Sequence, residues 1–291
     1  MIAAMAQAIG VLFDGIAYGS LLFLVSLGLS VTMGLMNFVN LAHGAFAMAG
    51  GYVCVVAMSR FGVPFFAALP LAFLATAAAG AVLERTLYRR LYSASHLDQV
   101  LFSIGLTFMS IAAATWLFGP SQQPVRMPDF LRGQVHLAGV DFGIYRIFLI
   151  ATVAALTSLL GFLIARTRFG AQVRASVDDA QAARGLGIDV DRVFSAAFAL
   201  GSGLAGLGGA LGIEVLGLDA SFPLKFMVYF LLVVVVGGAG SIKGPLLAAL
   251  LLGVFDVAGK YYVPQVGAFV IYAVMVVVLI AFPAGLYARR R

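Results

Sequence analysis

Long apolar runs follow one another along almost the whole of this 291-residue chain. A helix needs about 20 predominantly apolar residues to cross a bilayer. Nine candidate spans end near residues 35, 58, 83, 118, 165, 216, 236, 257 and 282. Only 10% of the residues are charged, against about 25% in soluble domains, so the chain lacks the polar surface needed in water. The sequence therefore predicts an all-α polytopic membrane protein with eight to ten transmembrane helices, in one transmembrane domain over 1–291.

Polar residues interrupt the second apolar run. The stretch GLMNFVNLAHGAFAMAGG holds Asn37, Asn40 and His43 beside glycines, and we predict a broken or re-entrant segment near 37–44. Polar groups at membrane depth are functional candidates, and three residues spaced by three would share one face of a helix. These residues are therefore candidates for a translocation pathway. Two alternatives stay open: Asn40 caps a helix beginning at Leu41, or the side chains satisfy backbone groups freed at the break.

The connections between the spans carry further signals. One connection holds Glu84, Arg85, Arg89, Arg90, His96 and Asp98, and we interpret it as a short charged loop. Residues 119–143 contain three prolines and predict an irregular loop that could include a short hairpin. The sixth span is rich in glycine, which predicts close packing against other helices.

A charged segment, residues 166–192, separates the fifth and sixth spans. If nine spans alternate, 12 of the 18 basic residues fall on the same side as this segment. They are Arg85, Arg89, Arg90, Arg166, Arg168, Arg174, Arg184, Arg192, Lys243, Arg289, Arg290 and Arg291. Because loops on the cytoplasmic side carry an excess of Lys and Arg, we predict that this segment and the C-terminus are cytoplasmic. The N-terminus then lies outside.

The charged segment has two helical interpretations. Its alanines favour one helix over 171–186, or Asp178 and Asp179 start a second short helix over 180–186, as N-cap and first-turn acid. In the second case Ala182, Ala183 and Leu186 would form a small, nearly smooth face that suits a groove on another protein. The alternative is an ordinary solvated loop.

Three stretches carry a resemblance to a known family. AQVRASVDDAQAARGLGIDVDRV resembles the ATPase-coupling segment of bacterial ABC importer permeases. GLMNFVNLAHGAFAMAGGY and VVVVGGAGSIKGPLLAALLLG resemble further segments of LivH-type permeases of branched-chain amino acid importers. The resemblance implies an ATPase-coupling role for Asp179, Gln181, Ala182, Ala183, Arg184, Gly185, Leu186 and Gly187. Gln181 departs from the family pattern, which has Glu there, so one carboxylate contact to the ATPase is missing.

The resemblance also implies partners. They are a second related permease subunit, two cytoplasmic ATP-binding subunits, a periplasmic substrate-binding protein and membrane lipid, in the bacterial inner membrane. The sequence contains no phosphate-binding loop motif, so we expect no enzymatic activity in this chain and ATP hydrolysis in partner subunits. We expect no cofactor, no metal and no nucleic-acid partner.

Three functions remain to be compared at this point. The first is a permease subunit of an ABC importer for branched-chain or other hydrophobic amino acids, and the second is an ABC permease for urea or short amides. The third is a proton- or sodium-coupled secondary transporter, with Asp14, Glu214 or Asp256 as the coupling carboxylate. Asp256 also has a simpler explanation, because Lys260 lies four residues further on and can form an intrahelical ion pair.

Overall fold

A computed structural model describes residues 2–36, 38, 40–125, 127–137, 139–238 and 240–287. In chain order the elements are α1 (Ile2–Met36), α2 (His43–Phe61), α3 (Phe65–Thr86), α4 (His96–Phe118), β1 (Gln134–Leu137), β2 (Val140–Gly143), α5 (Ile144–Arg166), α6 (Arg168–Asp178), α7 (Ala180–Gly185), α8 (Val190–Leu216), α9 (Phe222–Gly237), α10 (Lys243–Tyr262) and α11 (Gly267–Ala281). Two 3-10 turns cover Tyr88–Leu91 and Asp129–Leu131.

Each of the nine predicted spans contains a helix. Within the described residues, seven helices are long and apolar enough to cross a membrane: α1, α2, α3, α4, α5, α8 and α10. The helices α9 and α11 are apolar but shorter, with 16 and 15 residues. At 1.5 Å of rise per residue they are roughly 24 and 22 Å long, less than the hydrocarbon core of about 30 Å. The prediction of an all-α polytopic membrane protein is confirmed.

The molecule has two ends that the connections define. At the first, called the hairpin end, Phe13 near the start of α1 packs edge-on against Phe142 of β2, with 4.9 Å between ring centroids. At the other, called the α6–α7 end, Arg89 lies 3.8 Å from Asp191. The backbone N–H of Leu286 donates to the Val236 carbonyl near the end of α9. The described C-terminal residues therefore lie at the α6–α7 end, opposite the start of α1, as the alternating spans predict.

The glycines of α8 let three other helices approach it closely. An added Cβ at Gly209 would overlap the Ala47 carbonyl of α2, and one at Gly201 would lie 3.1 Å from the Gly28 Cα of α1. At Gly203 it would lie 2.7 Å from the Phe73 ring of α3. These glycines are buried. The predicted close packing of the sixth span is confirmed, and α8 is the central helix of the fold.

The interpretation of 84–98 as one loop is wrong at both ends, and at the far end His96 and Asp98 already belong to α4. Glu84 and Arg85 belong to the last turn of α3, and Glu84 is fully buried. The loop begins only at Leu87. A buried carboxylate is tolerated when hydrogen bonds and an opposite charge surround it, and sequence hydropathy does not show such partners.

The loop at 119–143 contains the predicted hairpin. Strands β1 and β2 pair antiparallel, with Val135 opposite Phe142 and His136 opposite Asp141. Gly139 in the turn has φ of 80°, in the left-handed region that favours glycine. The hairpin leads directly into α5.

Candidate coupling segment and helix break

The α6–α7 segment is built by local capping. The Thr167 side chain accepts from the Gly170 N–H at 3.1 Å and starts α6, and the Asp179 carboxylate accepts from the Gln181 and Ala182 N–H groups at 2.9 Å. The chain leaves α7 through Gly187, with φ of 83°. An added Cβ at Gly170 would overlap the Ile164 carbonyl, so α6 folds back tightly against the end of α5. Of the two predicted arrangements, the one with a second short helix is confirmed, but the N-cap is Asp179 and not Asp178, which still belongs to α6.

The faces of α7 differ from the prediction in one residue. Gln181, Ala182, Arg184, Gly185, Leu186 and Gly187 are exposed, and 82% of Leu186 is accessible. Ala183 is only 2% exposed, so the predicted smooth face of Ala182, Ala183 and Leu186 is wrong for Ala183. Successive helix positions differ by about 100°, and this rotation turns Ala183 toward the protein while its neighbours face outward.

Loss of the Asp179 cap should loosen α7 selectively. We expect Asp179→Ala to cost about 1 kcal/mol of local stability, because two backbone N–H groups lose their acceptor. Hydrogen exchange over residues 180–186 should accelerate about fivefold, since 1 kcal/mol corresponds to that factor. The control is Gln181→Ala, whose exposed side chain caps nothing. Equal exchange in both variants would contradict the capping role.

The predicted helix break is present between α1 and α2. Helix α1 ends at Met36, residues 38 and 40 are not helical, and α2 begins at His43. Asn37 lies outside the described residues. Because Asn40 precedes α2, the hypothesis of a shared helical face for Asn40 and His43 is wrong.

Asn40 and His43 instead bind backbone and side chains at the break. The Asn40 Oδ1 accepts from the Ala42 N–H at 3.1 Å and from the Tyr88 hydroxyl at 3.0 Å. The His43 Nε2 donates to the Val25 carbonyl of α1 at 2.9 Å. Both side chains are buried, which agrees with the predicted alternative that they satisfy the broken backbone. Asn40 also keeps an amide group, Nδ2, without a hydrogen-bond partner among the described residues.

The three membrane carboxylates proposed for ion coupling have separate surroundings. Asp256 is buried and its Oδ2 lies 2.6 Å from the Lys260 Nζ, so the predicted intrahelical pair is confirmed. Asp14 pairs with Arg146 at the hairpin end, whereas Glu214 is exposed. Asp14 and Asp256 thus pair with two different basic residues.

Another ion pair, between Asp219 and Lys225, lies at the hairpin end of the molecule. Asp219 contacts Lys225 and also accepts from the Ser221 N–H at 2.8 Å. Partial burial opposes ionisation, but the hydrogen bonds from Lys225 and Ser221 outweigh it and lower the pKa of Asp219. The carboxylate is therefore ionised at neutral pH and fixes the turn before α9.

The sequence did not predict a cavity that opens beside α6. It measures about 710 Å³, and its walls are mostly apolar, with polar side chains at Ser30, Thr157, Arg174, Ser241 and Lys243. Four helices build it, namely α1, α5, α6 and α10. Residues so far apart in sequence cannot be assigned to one cavity from hydropathy alone.

Comparison with known proteins assigns most of the chain. Residues 11–279 match the family described as "Branched-chain amino acid transport system / permease component". The chain is 27% identical to the high-affinity branched-chain amino acid transport system permease protein BraD of Pseudomonas aeruginosa, covering 96% of this chain and 95% of that protein. It is also 27% identical to LivH of Salmonella typhimurium, over 96% and 94% of the two chains.

A further match is a high-affinity branched-chain amino acid transport system permease protein named LivM. The chain is 28% identical to LivM of Salmonella typhimurium over 79% of this chain and 59% of that protein. No solved structure matches the chain.

Proposed function

The chain belongs to the branched-chain amino acid transport permease family, and from this we propose that it is the permease subunit of an ABC importer. The observation that carries the proposal is the extent of the match, which begins inside α1 and ends inside α11. The substrates we propose are branched-chain or other hydrophobic amino acids, as the names of BraD and LivH indicate for those proteins. The family match favours this function over the ion-coupled transporter and over a permease for urea or short amides.

We assign ATP hydrolysis to partner subunits that dock on the segment 166–192. Its short helix α7 presents Gln181, Ala182, Arg184, Gly185 and Leu186 to the exterior. A leucine that is 82% exposed beside small residues suits a groove on another protein, because an apolar side chain gains from leaving water. In this proposal Ala183 supports α7 from inside and does not touch the ATPase.

We assign the orientation from the positive charge. The basic residues Arg85, Arg89, Arg166 and Lys243 accompany the α6–α7 end, which we place in the cytoplasm of a bacterium together with the C-terminus. The hairpin end then faces the periplasm, where a substrate-binding protein would deliver the amino acid.

A second permease subunit would complete the pathway. In an apolar 18-residue stretch of α4 only 17% is buried in this chain, and the same share holds for α5. Both helices therefore present wide apolar surfaces to lipid or to another subunit. The similarity to LivH and to LivM, two different permeases, supports pairing with a related but distinct chain. Our candidates for the pathway remain Asn37, Asn40 and His43. The Asn40 Nδ2 at the break has no hydrogen-bond partner among the described residues.

The substrate class can be tested in cells. We expect deletion of the gene to reduce uptake of radiolabelled leucine, isoleucine and valine, and a plasmid copy to restore it. Urea and acetamide uptake should stay unchanged. Loss of urea or acetamide uptake with normal leucine uptake would contradict the proposed substrate.

A further inference from the structure

A fully buried carboxylate joins α3 to α8 at the α6–α7 end. Glu84 is 0% exposed, and its carboxylate accepts from the Ser195 hydroxyl of α8 and, at 2.7 Å, from the Tyr92 hydroxyl. The Arg89 Nε lies 3.6 Å away. Burial and the Glu84 carboxyl raise the pKa of Tyr92, so its hydroxyl keeps the proton that it donates. Removing a partner from a buried charge is strongly destabilising, so the Glu84 group holds α3, the turn Tyr88–Leu91 and α8 together.

The same arginine connects this buried group to the coupling segment. Arg89, in the 3-10 turn Tyr88–Leu91, lies 3.8 Å from the Asp191 carboxylate and donates to the Ser195 hydroxyl at 3.2 Å. Asp191 in turn accepts from Arg184 of α7 at 3.1 Å. The chain of contacts from α7 to α3 is therefore continuous.

The residue before Arg89 reaches the helix break. Tyr88 is fully buried, and its hydroxyl donates to the Asn40 Oδ1 at 3.0 Å. Its ring packs against Phe38 and Phe198, with centroids 5.3 and 4.8 Å apart. The turn Tyr88–Leu91 thus contacts the coupling segment through Arg89 and the break through Tyr88.

We propose that this turn transmits movement of α7 to the break between α1 and α2, with Arg89 and Tyr88 as positioning residues of the transport cycle. The proposal rests on the proposed function. Coupling between distant sites needs a contiguous element that both sites can bias, and the turn is such an element. The Arg184–Asp191 pair is half-exposed, and exposed ion pairs contribute little to stability, whereas the Glu84 group is buried. The exposed pair is therefore the part that can release and reform while the turn stays intact.

The test measures coupling and not assembly. The complete transporter, with its ATP-binding subunits and binding protein, is reconstituted in proteoliposomes, and radiolabelled leucine transported per ATP hydrolysed is determined. We expect Tyr88→Phe and Arg89→Gln to lower this ratio about fivefold or more, the range of typical allosteric coupling. Tyr145→Phe removes a hydroxyl that donates to the Leu211 carbonyl at the hairpin end, and Arg90→Gln removes the next charge of the same turn. Both control variants should keep the wild-type ratio.

The outcomes separate the two proposals. A wild-type ratio in Tyr88→Phe, or an equal fall in the control variants, overturns the transmission role while ATP-driven transport stands. A purely structural role would lower the amount of assembled complex and leave the ratio unchanged, which also overturns it. If Arg89→Gln fails to fold, Tyr88→Phe decides, because it keeps the ring packing. Uptake by the wild type without ATP would refute the proposed function itself, and the inference with it.

Discussion

Gly209→Ala is expected to destabilise the protein by about 3 kcal/mol and to remove most of the folded protein from the membrane. The added Cβ would overlap the Ala47 carbonyl of α2, a backbone atom that cannot rotate away. The helices α2 and α8 would have to separate at the centre of the fold, and forced overpacking of this kind costs about 1–3 kcal/mol or more. The measurement is the amount of monodisperse protein after extraction in mild detergent, with its thermal unfolding midpoint.

Gly105→Ala is the matched control for this prediction. Gly105 lies in the middle of α4, and nothing stands within 4 Å of an added Cβ there. Alanine is favoured over glycine within a helix by roughly 1 kcal/mol, so this variant should be neutral or slightly more stable. Replacement of glycine by alanine is thus predicted to lower the stability at Gly209 and to leave it unchanged or slightly raised at Gly105. Equal stability of both variants would contradict the close packing of α2 on α8.

Leu186→Arg is expected to abolish binding of the ATP-binding subunits. Leu186, which directly follows α7, exposes its apolar side chain, and truncating a hot-spot residue of an interface costs about 2 kcal/mol or more, roughly 30-fold in affinity. Arginine in an apolar groove would add the cost of burying a charge. The measurement is the ratio of ATP-binding subunit to permease after affinity purification of the permease.

Leu97→Arg controls for added charge at the same end. Leu97 begins α4 and is 67% exposed, but it lies outside the coupling segment. We expect it to retain the partner subunits at the wild-type ratio. Normal recovery of those subunits with Leu186→Arg would refute the assignment of α7 as their docking site.

Hydropathy predicted the membrane helices well because the bilayer requires long apolar runs with internally satisfied backbones. All nine predicted spans contain helices, although α9 and α11 are shorter than a full crossing. Short-range capping signals were also informative: the two aspartates predicted the second short helix α7, although Asp179 caps it and not Asp178. The break before His43 followed from the cluster of polar residues in an apolar run.

Long-range contacts could not be predicted in the same way. Glu84 and Ser195 are 111 residues apart, and only the folded chain shows that they share a hydrogen bond. Hydropathy assigns a charged residue at a helix end to a loop, and it therefore misassigns Glu84, which lies in the last turn of α3. Ala183 illustrates the other difficulty, because a helix face depends on how the helix is rotated against its support. One signal was available in retrospect: Tyr88, Arg89 and Tyr92 combine aromatic and basic residues immediately after α3.

The most direct test is uptake of radiolabelled leucine into proteoliposomes that contain this chain, a second permease, the ATP-binding subunits and the binding protein. Our account predicts uptake only when ATP is present on the α6–α7 side, and no effect of collapsing proton or sodium gradients. Uptake that follows a proton or sodium gradient without ATP would contradict it.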